Sequence, residues 1–233
     1  MTHIWLQATL FVMASSPIQS LAVVMGDLVQ SERSPAPERL HAQFNDVVDM
    51  LNMRYRERLV SPLTITLGDE FQGLVKSLAD AAPIVRDMRL HLMAKAIDCR
   101  FVIGSVEIRT EINPDKAWNM MGPGLSRARE RLNEKRTGSL YRFSILDDPV
   151  AETLLEAVGA GLTAIERGWT DQQREDISAL IKGLSAAELA KHRNVSVHSI
   201  YKVRSSGNFD AYTMQWHAIG AALAALDRRQ ERS

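Results

Sequence analysis

The chain has 233 residues, 45% hydrophobic and 24% charged, enough apolar content for a sizeable core beneath a polar surface. Twenty-eight basic residues cancel twenty-eight acidic ones, so no whole-chain field draws it to nucleic acid or an anionic membrane, and any such attraction must be local. A single cysteine, Cys99, excludes a disulfide framework and a thiolate cluster; a reducing, cytoplasmic setting is expected, with Cys99 as core filler.

The run I-W-L-Q-A-T-L-F-V-M-A-S-S ends in small residues as a secretory signal would, but only Thr2 and His3 precede it and no positive segment leads it. It is also too short to span a bilayer, so no membrane association is expected. Residues 1–19 are read as a loosely ordered extension outside the fold, with Met13 as a candidate true start. Residues 21–25 form an apolar run ending in Gly26-Asp27, the pattern of a buried strand stopping at a loop. Leu40, Phe44, Val47, Val48 and Leu51 recur at helical spacing and predict an amphipathic helix over 38–58. Residues 63–67 and 71–75 read as the arms of a hairpin with a two-residue turn at Gly68-Asp69. A second helix is expected over 79–96. A strand over 100–109 alternates through Phe101, Ile103 and Val106, and Gly104 marks a close approach. M-G-P-G leads into a third helix over 125–133, and 140–146 is the last strand.

The order β-α-β-β-α-β, followed by a further α and β, is the split-βαβ, ferredoxin-like arrangement, giving an α+β class. In it the first strand lies beside the hairpin, so Asp27 and Asp69 become neighbours. A Gly-Asp pair in a hairpin is an ordinary turn signal. Its conjunction with a second Gly-Asp at a strand end points instead to a site for a hard divalent ion such as magnesium, which takes carboxylate oxygens and completes its shell with water and phosphate. The Leu28 carbonyl is a further candidate ligand, and Ser31 with the loop amides could hold phosphate oxygens.

The runs V-V-M-G-D-L-V-Q-S, T-L-G-D-E-F-Q-G, R-F-V-I-G-S-V-E-I and G-P-G-L-S-R-A-R resemble the SatD family. More distantly, residues 21–146 are similar to the palm-like core of class III nucleotide cyclases and GGDEF diguanylate cyclases. That resemblance implies metal-binding roles for Asp27 and Asp69, and a nucleoside triphosphate or signalling nucleotide held by Leu28, Ser31, Gly68, Glu70, Lys135 and Arg136. The departures are specific. Leu67 replaces the first glycine of GGDEF, Ile65 stands where class III enzymes carry a base-recognising lysine, and Ser126 replaces the asparagine of V-N-x-A-x-R. The cyclase catalytic residues are therefore not matched. Arg127 and Arg131 on one helix face could still meet a polyphosphate, and solvation is the simplest reading of the arginines on that helix, Arg129 included.

D-D-P at 147–149 divides a palm-like domain (20–147) from a helical one (148–233). Helices are expected over 150–165 and over 171–181, the latter capped by Thr170. In S-A-A-E-L-A-K-H-R-N-V-S-V-H-S-I-Y-K-V-R, Ser185 and Glu188 form a capping box and Leu189-Ala190 pack inward. Ser196 caps a second short helix with Val197, Ile200 and Val203 inside. This is a helix-turn-helix layout, which predicts double-stranded DNA as partner, contacted by Lys191, Arg193, Ser196, His198, Ser199, Tyr201, Lys202 and Arg204. Four basic residues and no acid lie between Lys191 and Arg204. Trp216, Ile219, Leu223 and Leu226 mark a last amphipathic helix. The leading reading is a DNA-binding regulator, expected as a homodimer, whose palm-like part binds a nucleotide with magnesium. The alternative is a magnesium-dependent nucleotidyltransferase or cyclase-like enzyme with a helical docking module. A third reading leaves both Asp residues solvated and structural.

Overall fold

The structure is a computed structural model that describes residues 19–134 and 138–230. The expected extension therefore lies, but for Gln19, outside the described residues. The described chain runs β1 (Gln19–Leu28), α1 (Pro37–Arg54), β2 (Leu59–Ile65), β3 (Glu70–Val75), α2 (Leu78–Met93), β4 (Cys99–Ile108), α3 (Leu125–Asn133) and β5 (Tyr141–Ser144). Five helices follow: α4 (Pro149–Arg167), α5 (Asp171–Ile181), α6 (Ala186–Arg193), α7 (Val197–Ser206) and α8 (Phe209–Gln230).

The sheet order is β2-β3-β1-β4-β5. The first four strands pair antiparallel, as the split-βαβ arrangement requires, and β5 adds parallel to β4. The fold class is α+β. β1 does not stop at Met25: its ladder with β4 continues to Leu28 opposite Cys99, so Asp27 lies within the strand. β2 begins at Leu59, four residues before the expected start, and carries Pro62 inside it. As the outermost strand it tolerates a residue without an N–H, and its register against β3 shifts twice. The turn is longer than two residues: Thr66 N–H donates to the Glu70 carbonyl at 2.9 Å, and Gly68 takes the left-handed φ of 81°.

One face of the sheet buries the main core. Phe44 of α1, Phe71 of β3, Phe101 of β4, Tyr141 of β5, and Trp216 and Tyr212 of α8 form a continuous chain of ring contacts, with centroids 5.3–6.5 Å apart. The ring pair Phe71 and Phe101 meets across β1 because Gly26 lies between them, where a Cβ would stand 2.2 Å from Phe71 Cε1. The expected inward residues of the last helix, Trp216, Ile219, Leu223 and Leu226, join this same core. Asp227 adds a polar tie, accepting from the Leu78 and Ala79 N–H groups at 2.9 Å and capping the start of α2. Beneath lies a buried network: Glu166 accepts from Arg89 Nε at 2.8 Å, from the Tyr141 hydroxyl at 2.5 Å and from the Tyr212 hydroxyl at 2.8 Å. Arg89 also pairs with Asp98 at 2.8 Å. The opposite face is covered more thinly, by α3 through Ala128 and Leu132 against Val23, Met25 and Val102. Cys99 is fully buried, and burial pushes its thiol well above the usual range. No helix of the described residues is long and apolar enough to cross a membrane.

Candidate functional site: a cleft on the thinly covered face

Asp27, Met25 and Val23 of β1 share a face because side chains alternate along a strand. Register places Glu70, Gln72 and Leu74 of β3 opposite them on one side, and Arg100 and Val102 of β4 opposite Asp27 and Met25 on the other. The residues expected to gather around the two Gly-Asp pairs do come together. Leu28 N–H donates to the Asp69 carbonyl at 3.0 Å, Ser31 Oγ donates to Asp69 Oδ2 at 2.5 Å, and Glu70 pairs with Asp27 across the ladder. Lys135 and Arg136 lie outside the described residues.

A residue the sequence reading missed stands beside this cluster. Arg100 Nη2 donates to Asp27 Oδ2 at 2.7 Å, with side-chain exposures of 14% and 11%. Its Nε is buried without a hydrogen-bond partner. The signal lay in strand register, which a linear sequence does not display. Two carboxylates and a neighbouring carbonyl are chemically suited to a hard divalent ion. Asp27 already carries one positive partner, and no group of three or more His, Cys, Asp or Glu residues that could hold a metal occurs among the described residues.

One pleat away from Asp27, a cleft of about 770 Å³ opens between the hairpin turn, the strand face, α3 and the segment 118–122. Met25 and Gln72 line its floor, Arg129, Ser126 and Asn133 its α3 wall, and Trp118 and Asn119 its far wall. Gln72 ties these walls together: its Nε2 donates to the Ala117 carbonyl, and its Oε1 accepts from Arg129 Nη2 at 2.9 Å. Thr64 Oγ1 accepts from Ala117 N–H at 2.9 Å, holding the same segment over the sheet. Leu67, Trp118 and Met121 stand at the mouth 71%, 60% and 71% exposed, an apolar rim around a polar interior.

The arginines of α3 divide differently from expectation. Arg127 pairs with Glu152 at 2.7 Å, and Arg131 pairs with Glu134, Glu152 and Glu156 at 2.9–3.3 Å, which ties α3 to α4 and away from any polyphosphate. Arg129, read from sequence as merely solvated, is the one that lines the cleft.

In the C-terminal region the two caps form as read: Ser185 and Glu188 make the capping box, and Ser196 Oγ accepts from Ser199 N–H at 3.1 Å. Asn194 ends α6 in the left-handed conformation at φ 53°. Leu189, Ala190 and Ile200 pack together, whereas Val197, expected inside, is 40% exposed at the first position of α7. His198, Tyr201, Lys202, Lys191 and Ser196 are exposed, and Ser199 is half-buried. The acid-free stretch is not acid-free in space. Arg193 pairs with the buried Asp176 of α5, and Arg204 pairs with Asp210 at 2.8 Å while stacking on Phe209 at 4.7 Å. Half of the four-residue basic set is thus neutralised by other segments.

Solved structures similar to the chain include a bacterial light-regulated adenylyl cyclase (12% identity, TM-score 0.41, 55% of this chain and 77% of that one). Others are the guanylyl cyclase domain of the RhoGC fusion protein from the aquatic fungus Blastocladiella emersonii (16%, 0.38, 50% and 74%) and the guanylate cyclase domain of RhGC from Catenaria anguillulae in complex with GTP (18%, 0.34, 50% and 73%). No curated protein matches the chain. The profile of the SatD family matches residues 21–209, reaching from the start of the sheet into the first turn of the last helix, and the chain belongs to that family.

Proposed function

We propose that the chain binds a nucleoside polyphosphate in the cleft on the thinly covered face and serves magnesium-dependent nucleotidyl transfer there. The observation that carries this reading is the conjunction of Trp118, Gln72 and Arg129 around one cleft with the Asp27, Arg100 and Asp69 cluster one pleat along the same strand face. The volume suits a drug-sized or nucleotide-sized ligand. Trp118 offers a flat apolar surface for a base, and Asn119, Gln72 and Asn133 offer donors and acceptors to its edge. Arg129 and Arg100 supply positive charge for phosphate oxygens, Arg129 from the exposed wall and Arg100 from the half-enclosed strand end. Ser31, fixed against Asp69, and Gly68 and Glu70 at the turn complete the phosphate end. A magnesium ion, held by Asp27 and Asp69 with the Leu28 carbonyl, would neutralise phosphate charge and orient an attacking hydroxyl. In this reading the apolar rim of Leu67, Trp118 and Met121 is the surface that a second copy covers in a homodimer.

The deciding experiment is a panel of four nucleoside triphosphates with magnesium, scored by calorimetry for binding and by pyrophosphate release for turnover. At least one triphosphate should bind, and Asp69→Asn should remove turnover while leaving the fold intact. Absence of binding by all four removes the reading.

A second reading, DNA binding by α6 and α7, is favoured by one observation: Lys191, His198, Tyr201 and Lys202 are exposed around two helices joined through a left-handed Asn194. It is the weaker one because Arg193 and Arg204 are paired internally. It predicts salt-sensitive retention of duplex DNA that falls severalfold in the double variant Lys191→Ala, Lys202→Ala. Unchanged retention in that variant would sink it.

A further inference from the structure

Where α8 crosses α2 beside the end of α5, on the far side of the sheet from the cleft, two cavities of about 360 and 180 Å³ share the lining residues Arg86, Trp216 and His217. The larger has a floor of small residues, Ala79, Ala82, Gly220 and Ala221. Gly220 is notable because nothing in its surroundings requires it. It sits inside a helix, where alanine is the more stable residue, and a Cβ added there would meet no atom within 4 Å. The space it leaves is part of the groove.

The polar chemistry of the groove is incomplete. Arg86 Nε is buried and has no hydrogen-bond partner, and the guanidinium reaches Asp87 only at 3.5 Å, the limit of a hydrogen bond. Asp87 is engaged more closely elsewhere, accepting from the Tyr55 hydroxyl at 2.7 Å and pairing with Arg54 at 3.0 Å. The Trp216 indole N–H is also buried with no acceptor in hydrogen-bond geometry. Burial and the Glu166 carboxylate hold the Tyr212 hydroxyl well above its usual range, and the indole N–H beside that oxygen opposes the shift only in part, so the indole N–H faces Tyr212 and not the groove. Trp216, 6% exposed but present in both cavity walls, supplies an apolar surface. His217 stands exposed at the rim. The Arg86 side chain is 34% exposed and holds Asp87 only at the limiting 3.5 Å, so its terminal N–H groups are open to an acceptor supplied by a ligand in the groove.

We infer that this groove is a binding site for a small monoanionic carboxylate with an apolar or aromatic body. The carboxylate accepts from Arg86, and the body lies on the alanine and glycine floor against Trp216. One negative charge suits the site better than two because the Asp87 carboxylate, 3.5 Å from the same guanidinium, repels added negative charge. The groove is separate from the nucleotide cleft, and its occupation does not depend on what the cleft binds.

The test uses benzoate as probe and benzamide, its uncharged isostere, as control, with the melting temperature and one protein NMR titration as readouts. Benzoate is expected to raise the melting temperature of the full chain, half-saturating at about millimolar concentration. Benzamide should bind at least about tenfold more weakly, since it forms no charge-assisted hydrogen bond. Gly220→Leu, which fills the groove, should melt at or above the wild-type temperature yet lose the benzoate response, and Gly220→Ala serves as the folding control. Arg86→Met should lower benzoate affinity by at least about tenfold. The inference is overturned if benzoate gives no response up to about 50 mM, if benzamide matches it, or if Gly220→Leu responds as the wild type does.

Discussion

The two faces of the sheet use arginine in opposite ways. On the closed face Arg89 is 3% exposed and locked between Glu166 and Asp98, under α4 and α8. On the open face Arg129 is exposed and held by a single hydrogen bond to Gln72. The same side chain is structural glue where water is excluded and, in the proposed function, the phosphate contact where water reaches it. The closed face ties its charge into the core, and the open face leaves its charge to water.

The sharpest way to break this contrast is Glu166→Ala, which leaves Arg89 with Asp98 alone and strands two tyrosine hydroxyls in the core. It should cost about 3–5 kcal/mol in urea unfolding. A loss under about 1 kcal/mol would mean the network contributes far less than its burial implies. Tyr55 gives a smaller effect on the same face. Burial, with the Asp87 carboxylate beside it, pushes its hydroxyl up to about 12. A raised pKa in the folded state stabilises the fold below the unfolded value of about 10, and that contribution is lost as pH rises from there through the folded value. Unfolding curves collected from pH 9 to 12 should show this decline, and Tyr55→Phe should lessen it, with the buried Tyr141 and Tyr212, also raised, supplying the remainder. The smallest effect on stability belongs to Arg129→Ala, within about 0.5 kcal/mol. Nucleotide affinity measured by calorimetry should nevertheless fall about tenfold or more. Equal affinity in that variant would take Arg129 out of the cleft chemistry.

Much of this was legible in the sequence, for identifiable reasons. The bounds of α3 and α5 were readable because a glycine turn and a threonine cap announce them. The neighbourhood of Asp27 and Asp69 followed from element order alone. The partner of Asp27 did not, because Arg100 meets it only through the β1–β4 register. Gly26 and Gly68 looked alike as Gly-Asp pairs, yet one makes room for an aromatic contact and the other takes a left-handed turn conformation. The early start of β2 was hidden by Pro62, a residue that argues against a strand unless the strand is outermost. The loss of basic charge on α6 and α7 was invisible because Asp176 and Asp210 lie outside the stretch that was counted.

That outermost strand has a consequence for the behaviour of the protein at high concentration. A long regular border strand offers its free N–H and C=O groups to any other extended chain, and sheets can grow by that route into insoluble assemblies. Here Pro62 removes one donor, and two shifts in register against β3 break the even spacing that a newcomer would need. Asn52 of α1 also occupies the Leu63 N–H and C=O, so the border is a poor template and concentrated samples are protected from strand-by-strand growth at that side.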